Sequence, residues 1–162
     1  MIIRSLTAHD ADAQITIEVF RHPEGSFLIV RPLKKVAYPA TEHEEQAITV
    51  GYLRARGVLV FAVPNEGERS KAVASKHKRE GMLTGASDLI WVLQGQTVYN
   101  EMKKASGSLS DISAEQRSFL AKAGALDHLA VCTFGFKAAR YVHERLPFFT
   151  SYCKQVQHGD VG

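Results

Sequence analysis

The sequence predicts an α/β protein, a mixed β-sheet flanked by helices, on three observations. From residue 42 onward, stretches with helical spacing alternate with short β-branched runs. Two of those runs, 88–93 and 97–103, follow each other directly around Gly95 and so predict an antiparallel hairpin, while helices separate the others. Two more, VLVFAV at 58–63 and LAVCTF at 129–134, are continuously apolar, the pattern of strands buried on both faces.

The elements follow in order. ITIEVF at 15–20 alternates, HPEG supplies a turn and FLIV at 27–30 returns, which predicts an N-terminal β-hairpin. Pro32 and Pro39 bracket a linker-like stretch and place a boundary near residue 40. Thr41 can cap a helix that starts at Glu42 and stops before Gly57, with Glu42, Gln46, Thr49 and Leu53 on one stripe and Ala47, Ile48 and Val50 widening its apolar surface. KAVASKHKRE at 71–80 reads as a short basic helix ended by Gly81. SAEQ at 113–116 has the form of a capping box and opens a helix with Phe119, Leu120 and Ala123 inward. A last helix, 137–145, presents Ala138, Val142 and Leu146 on one side, and Pro147 closes it. The expected organisation is an N-terminal hairpin extension over 1–40, a main domain over 41–147 and a C-terminal tail over 148–162.

Bulk properties narrow the function classes. A chain of 162 residues fits one domain with a proper core. Its net charge of +3 permits a polyanionic partner without demanding one. Two cysteines, Cys132 and Cys153, are too few for a disulfide scaffold, and the close pairs of a Cys/His zinc site are absent. MIIRSLTAHD lacks a secretory apolar core, and the longest apolar run, 58–63, is far short of the roughly 20 residues that cross a membrane. The expectation is a reduced, cytoplasmic protein with no membrane partner.

The hairpin carries charge at one end only. Side chains alternate along a strand, so Glu101 and Lys103 share a face and Met102 points to the other. With the turn near Gly95, the start of the first strand lies beside the end of the second, and Asp88 falls near Glu101 and Lys103. Two carboxylates and a backbone carbonyl make a partial shell for a hard cation such as Mg²⁺, and an adjacent lysine can orient a water for attack on a phosphodiester. The plain alternative is a salt bridge at the edge of a sheet, where charge is common.

Further blocks lie around these residues in a definite order. They are TEHEEQ at 41–46, FAVPNEGERS at 61–70, KHKREGMLTGASD ending at Asp88, NEMK at 100–103, LSDISAEQ ending at Gln116 and CTFGFKAA at 132–139. Together they cover about two-thirds of the chain and resemble the VRR-NUC family, a branch of the PD-(D/E)xK nuclease superfamily common in phages and in DNA repair proteins. The resemblance implies a restriction-endonuclease-like αβββαβ core and a metal-dependent DNA endonuclease, with Mg²⁺ or Mn²⁺ as cofactor. It implies branched, flap or Holliday-junction DNA as substrate and a homodimer as assembly, with the N-terminal hairpin available to that pairing or to cover the sheet.

Residue by residue, the resemblance gives Asp88, Glu101 and the backbone carbonyl of Met102 to the metal, and Lys103 to the attacking water. Glu42 acts on the metal through water or on a second ion, and Gln116 contacts the attacked phosphate or supports the site. Asn65, Arg69, Lys71, Lys76, Lys78 and Arg79 are the expected DNA contacts, which set affinity and salt dependence rather than sequence choice. Two positions depart from the family pattern: Ser87 stands where a proline is usual, and Glu66 replaces the first glycine of a Gly-Gly pair whose second is Gly67.

Each supporting residue has a plainer explanation beside the functional one. Glu42 would favour a helix N-terminus through the dipole alone, with Glu45 a turn away as the fallback ligand. Gln116 would serve the capping box. The basic segment would be a solvated helix face, partly neutralised by Glu66, Glu68 and Glu80. His43 and His77 read as surface residues, Trp91 as core and Cys132 as an inert buried thiol. The rival functions are a catalytically idle DNA-binding module that keeps the nuclease fold, and a structural partner whose acids are merely salt-bridged.

Overall fold

The fold is that of a computed structural model describing residues 1–9, 14–34, 36, 40–64 and 71–159. The strands are β1 (Ile2–His9), β2 (Gln14–His22), β3 (Gly25–Pro32), β4 (Leu59–Ala62), β5 (Leu89–Leu93), β6 (Gln96–Lys103) and β7 (Leu129–Phe134). The helices are α1 (Glu42–Ala55), α2 (Lys71–Arg79), α3 (Ala114–Ala125), α4 (Phe136–Glu144) and α5 (Leu146–His158). These strands form one mixed sheet in the order β1-β2-β3-β7-β6-β5-β4. β7 runs parallel to both of its neighbours, β3 and β6, and the other neighbouring pairs are antiparallel.

Alternation along the strands sorts the core onto two faces. Val60, Trp91, Val98, Met102 and Val131 pack with Leu53 of α1, Val142 of α4 and Phe149 of α5. Phe27, Ile29, Ala130, Cys132 and Phe134 pack with Leu120 and Ala121 of α3 on the opposite face. β7 lies in the middle of the sheet, and every one of its residues is buried, as its unbroken apolar run implies.

Several expectations need correction. The N-terminal hairpin is present as β2 and β3, but β1 adds a third strand, and β3 pairs with β7, so residues 1–32 extend the main sheet rather than form an appendage. Residues 148–158 of the expected tail belong to α5, which buries Phe149, Tyr152, Cys153 and Val156, and residues 160–162 lie outside the described residues. Truncating a core phenylalanine costs about 3–5 kcal/mol, so this helix is a structural part of the fold. Pro147 does not simply close the preceding helix; it stands in the first turn of α5, where its missing N–H is harmless.

VLVFAV is not buried on both faces. β4 is the last strand of the sheet, and only its inner face packs on α1; Val60 is buried while Leu59 and Phe61 are exposed. Ala47 and Ile48 of α1 likewise face outward, whereas Thr49 and Leu53 are buried and Glu42 and Gln46 half-buried on the stripe the sequence predicts. No helix among the described residues is long and apolar enough to cross a membrane.

Candidate active site

The β5–β6 hairpin turns through Gln94 and Gly95, with Leu93 paired to Gln96 and Leu89 to Asn100. Gly95 takes a positive φ of 74°, which a residue with a Cβ adopts at a cost. This register sets Asp88, the residue before β5, opposite Glu101. Ladder pairing ends there, and the Asp88 side chain takes over: its Oδ2 accepts from the Met102 N–H at 2.9 Å. Within a strand, the N–H and C=O of one residue project to the same side. The Met102 carbonyl is therefore directed toward Asp88 as well. Asp88, Glu101 and Lys103 are brought to one place. β6 is an interior strand, however, so the place is the carboxyl end of the parallel pair β6–β7 and not an edge of the sheet.

Glu101 is fully buried and Lys103 nearly so, and their charged ends are 3.2 Å apart. Burial pushes the Glu101 carboxyl up to about 9, the Asp88 charge adds to the rise, and Lys103 opposes it. Burial alone would lower the Lys103 ammonium, but the negative charges of Glu101 and Glu42 more than offset it and hold the lysine above its ordinary value. Glu42 stands in the first turn of α1. Cys132 lies beneath, paired in register with Glu101; burial and the neighbouring carboxylates keep its thiol well above the ordinary range, so it is inert.

Gln116 joins the site from α3. Its Oε1 accepts from the Ser113 N–H at 2.8 Å, completing the capping box, and its Nε2 donates to Glu101 Oε1 at 2.5 Å. Glu45, the fallback ligand, is committed elsewhere: Oε2 accepts from the Phe136 N–H at 2.6 Å and caps α4, whose own N-cap, Gly135, has no side chain to do so. Thr41 caps α1 through a box with Glu44.

Two polar residues were not singled out from the sequence. Asn100, fully buried on the far side of β6, donates through Nδ2 to Thr133 Oγ1 at 2.9 Å and to the Glu101 carbonyl at 3.1 Å. Thr133 in turn donates to Met102 Sδ at 3.1 Å. The available signal was an asparagine at an inward position of an otherwise apolar strand, where a polar group must be hydrogen-bonded. Ser87 is fully buried.

The donor set fits a hard cation in part. Among the described residues, no group of three or more His, Cys, Asp or Glu side chains stands ready to hold a metal. Two carboxylates and a main-chain carbonyl do converge, and Glu101 Oε2 is buried without a hydrogen-bond donor. Such an atom is expensive unless a proton shared with Asp88 or a bound cation satisfies it.

The basic segment forms α2, none of whose residues is buried; Lys71, Lys76, Lys78 and Arg79 are exposed, with Lys76 3.7 Å from Glu80. Asn65, Glu66, Gly67, Glu68 and Arg69 lie outside the described residues. Trp91 is core and His43 is exposed, as expected, while His77 is half-buried. A groove of about 840 Å³ lies at the far end of the sheet, between the β5–β6 turn and α5, away from the carboxylates. Comparison with known proteins brings no match: no family model, no curated protein and no solved structure matches this chain.

Proposed function

We propose that the chain is a divalent-metal-dependent deoxyribonuclease that hydrolyses phosphodiester bonds, a VRR-NUC-like member of the PD-(D/E)xK superfamily with a restriction-endonuclease-like core. The element order α1, β4, β5, β6, α3, β7, with α2 inserted before β5 and β7 parallel to β6, supports that core. The observation that carries the activity is the convergence of Asp88, Glu101 and Lys103 at the end of one hairpin, in the register that the spacing of these residues implies.

Each residue then has a task. Asp88 anchors the Met102 peptide and offers its second oxygen to the cation; Glu101 offers the oxygen that has no donor. Bound Mg²⁺ or Mn²⁺ would supply charge neutralisation and a water of lowered pKa. Lys103 orients the attacking water and offsets the negative charge that gathers on the phosphoryl oxygens. Gln116 holds the Glu101 carboxylate in place, and Glu42 would act on the cation through water or on a second ion while adding, after Glu101, to the negative charge that favours the Lys103 ammonium. Lys71, Lys76, Lys78 and Arg79 would track the phosphate backbone. The proposed substrates are branched, flap or junction DNA, and the proposed assembly is a homodimer. Incubation with supercoiled plasmid and synthetic junctions, with Mg²⁺, Mn²⁺ or EDTA, tests the reading: cleavage is expected with either metal and none with EDTA. Full DNA affinity in EDTA with no cleavage in either metal would favour an idle binding module instead.

A further inference from the structure

Leu83 and Thr84, in the loop that leads to Asp88, and the outer face of α3 line an open cleft of about 290 Å³. Both walls are close to the site along the chain: Thr84 precedes Asp88 by four residues, Glu115 adjoins Gln116 and Ser118 follows Gln116 by two. The walls are held in register by Gly85. It has a φ of +81°, and a Cβ there would stand 2.4 Å from the Glu115 carbonyl carbon, so the loop backbone lies directly on the first turn of α3. The lining is mixed. Leu83 and Phe119 are apolar; Leu83 is 56% exposed, and the Phe119 ring is braced edge-on by Tyr99 at 5.6 Å. Thr84, Glu115 and Lys122 supply polar groups, and Lys122 is itself 3.4 Å from Glu24.

We propose that this cleft is a nucleobase subsite, taking one unpaired base next to the phosphate attacked at the neighbouring carboxylates and preferring bases that carry an exocyclic amine. The placement of the phosphate rests on the nuclease reading; capture of a base does not. The cleft lies at the lower limit of the pockets of about 300–1,000 Å³ that hold drug-sized ligands and has room for a single ring system. Leu83 and Phe119 offer apolar surface to the faces of a base, a contact that tolerates any sequence. Glu115 is an acceptor: it receives a hydrogen bond from the exocyclic amino group of cytosine, adenine or guanine, whereas thymine offers only its N3–H, between two carbonyl oxygens that repel a carboxylate. A base stacked and paired within a duplex cannot enter without leaving its stack. The subsite therefore narrows the substrate to DNA with an unpaired nucleotide at the cut, a flap or a single strand rather than intact duplex.

The test uses the full chain with single-stranded and flap oligonucleotides that differ at one position beside the mapped cut. That position is filled by cytosine, adenine, guanine, thymine or an abasic residue, and cleavage is measured with Mg²⁺. Binding is followed in EDTA by the fluorescence of 2-aminopurine placed at each position in turn. The abasic DNA is expected to be cut and bound about tenfold less well than the cytosine version. Thymine should fall between them, Glu115→Ala should remove the difference between cytosine and thymine, and Leu83→Ser should weaken base-bearing DNA alone. Equal handling of abasic and base-bearing DNA with cleavage intact overturns the subsite and leaves the nuclease reading standing. A Leu83-dependent 2-aminopurine signal without any cleavage upholds the cleft and overturns the nuclease reading. Neither binding nor cleavage overturns both.

Discussion

The Gln116 amide joins two structures with its two ends: Nε2 donates to Glu101 Oε1 at 2.5 Å, and Oε1 accepts from the Ser113 N–H at 2.8 Å. Helix cap and site support, which compete as explanations in the sequence, are one side chain in the fold. Gln116→Ala is therefore expected to lower stability by about 1–2 kcal/mol, from the lost hydrogen bonds. It should also slow DNA cleavage at least tenfold, because Glu101 loses the donor that orients it. Denaturant unfolding and single-turnover cleavage measure the two effects. A rate equal to wild type, with only stability changed, would reduce Gln116 to a cap.

Glu101 sets a pH dependence with a definite sign. Its carboxyl is raised by burial to about 9 in the folded protein, while an unfolded glutamate titrates near its ordinary value of about 4.5. Between these values the folded state holds a proton that the unfolded state has released, so stability is fully present below about pH 4.5 and is lost as pH rises toward 9. Lys103 is raised above its ordinary 10.5, outside that window. In EDTA, Glu101→Gln is expected to unfold with a flatter pH profile. Its advantage over wild type should grow toward pH 9, by on the order of 1 kcal/mol per pH unit at the steepest point. Parallel pH profiles for the two proteins would contradict the burial of a protonated carboxyl.

Glu42 and Glu45 lie three residues apart and are expected to fail differently. Glu45 caps α4 with a charged hydrogen bond, so Glu45→Ala should cost about 2 kcal/mol. Glu42 acts on Lys103 through charge, so Glu42→Ala should change stability by less than about 1 kcal/mol and yet slow cleavage. Melting curves and cleavage rates on the two variants separate the roles; a destabilised Glu42→Ala with normal specific activity would reverse them.

The exposed cations of α2 predict a salt effect. Lys78→Ala and Arg79→Ala together should weaken DNA binding and reduce the slope of log affinity against log salt by roughly one to two, if each contacts one phosphate. Binding titrations from low to moderate salt give the slope. An unchanged slope would return α2 to a solvated surface.

How far the sequence reaches is set by the range of the interactions. The turn at Gly95 and the alternation of β6 are local, so the opposition of Asp88 and Glu101 was legible, as was the capping box at Ser113. The pairing of β3 with β7 joins segments about a hundred residues apart in sequence, and no local pattern announces it. For the same reason VLVFAV reads as buried on both faces: an apolar run does not tell whether a helix will cover its second face, and among the described residues none covers Leu59 and Phe61. Glu45 looked like a spare ligand because the helix it caps lies about ninety residues away. The role of Asn100 is not legible locally because its partner, Thr133, belongs to another strand.

The central claim is that Asp88, Glu101 and Lys103 form a hydrolytic metal site. The most direct measurement is cleavage of plasmid and junction DNA by wild type, Glu101→Ala and Lys103→Ala in Mg²⁺ and in Mn²⁺, with circular dichroism confirming that each variant is folded. Wild type should cut in metal and stop in EDTA, and both folded variants should lose cutting by at least a hundredfold, about 3 kcal/mol of transition-state stabilisation. Variants that cut like wild type would contradict the account.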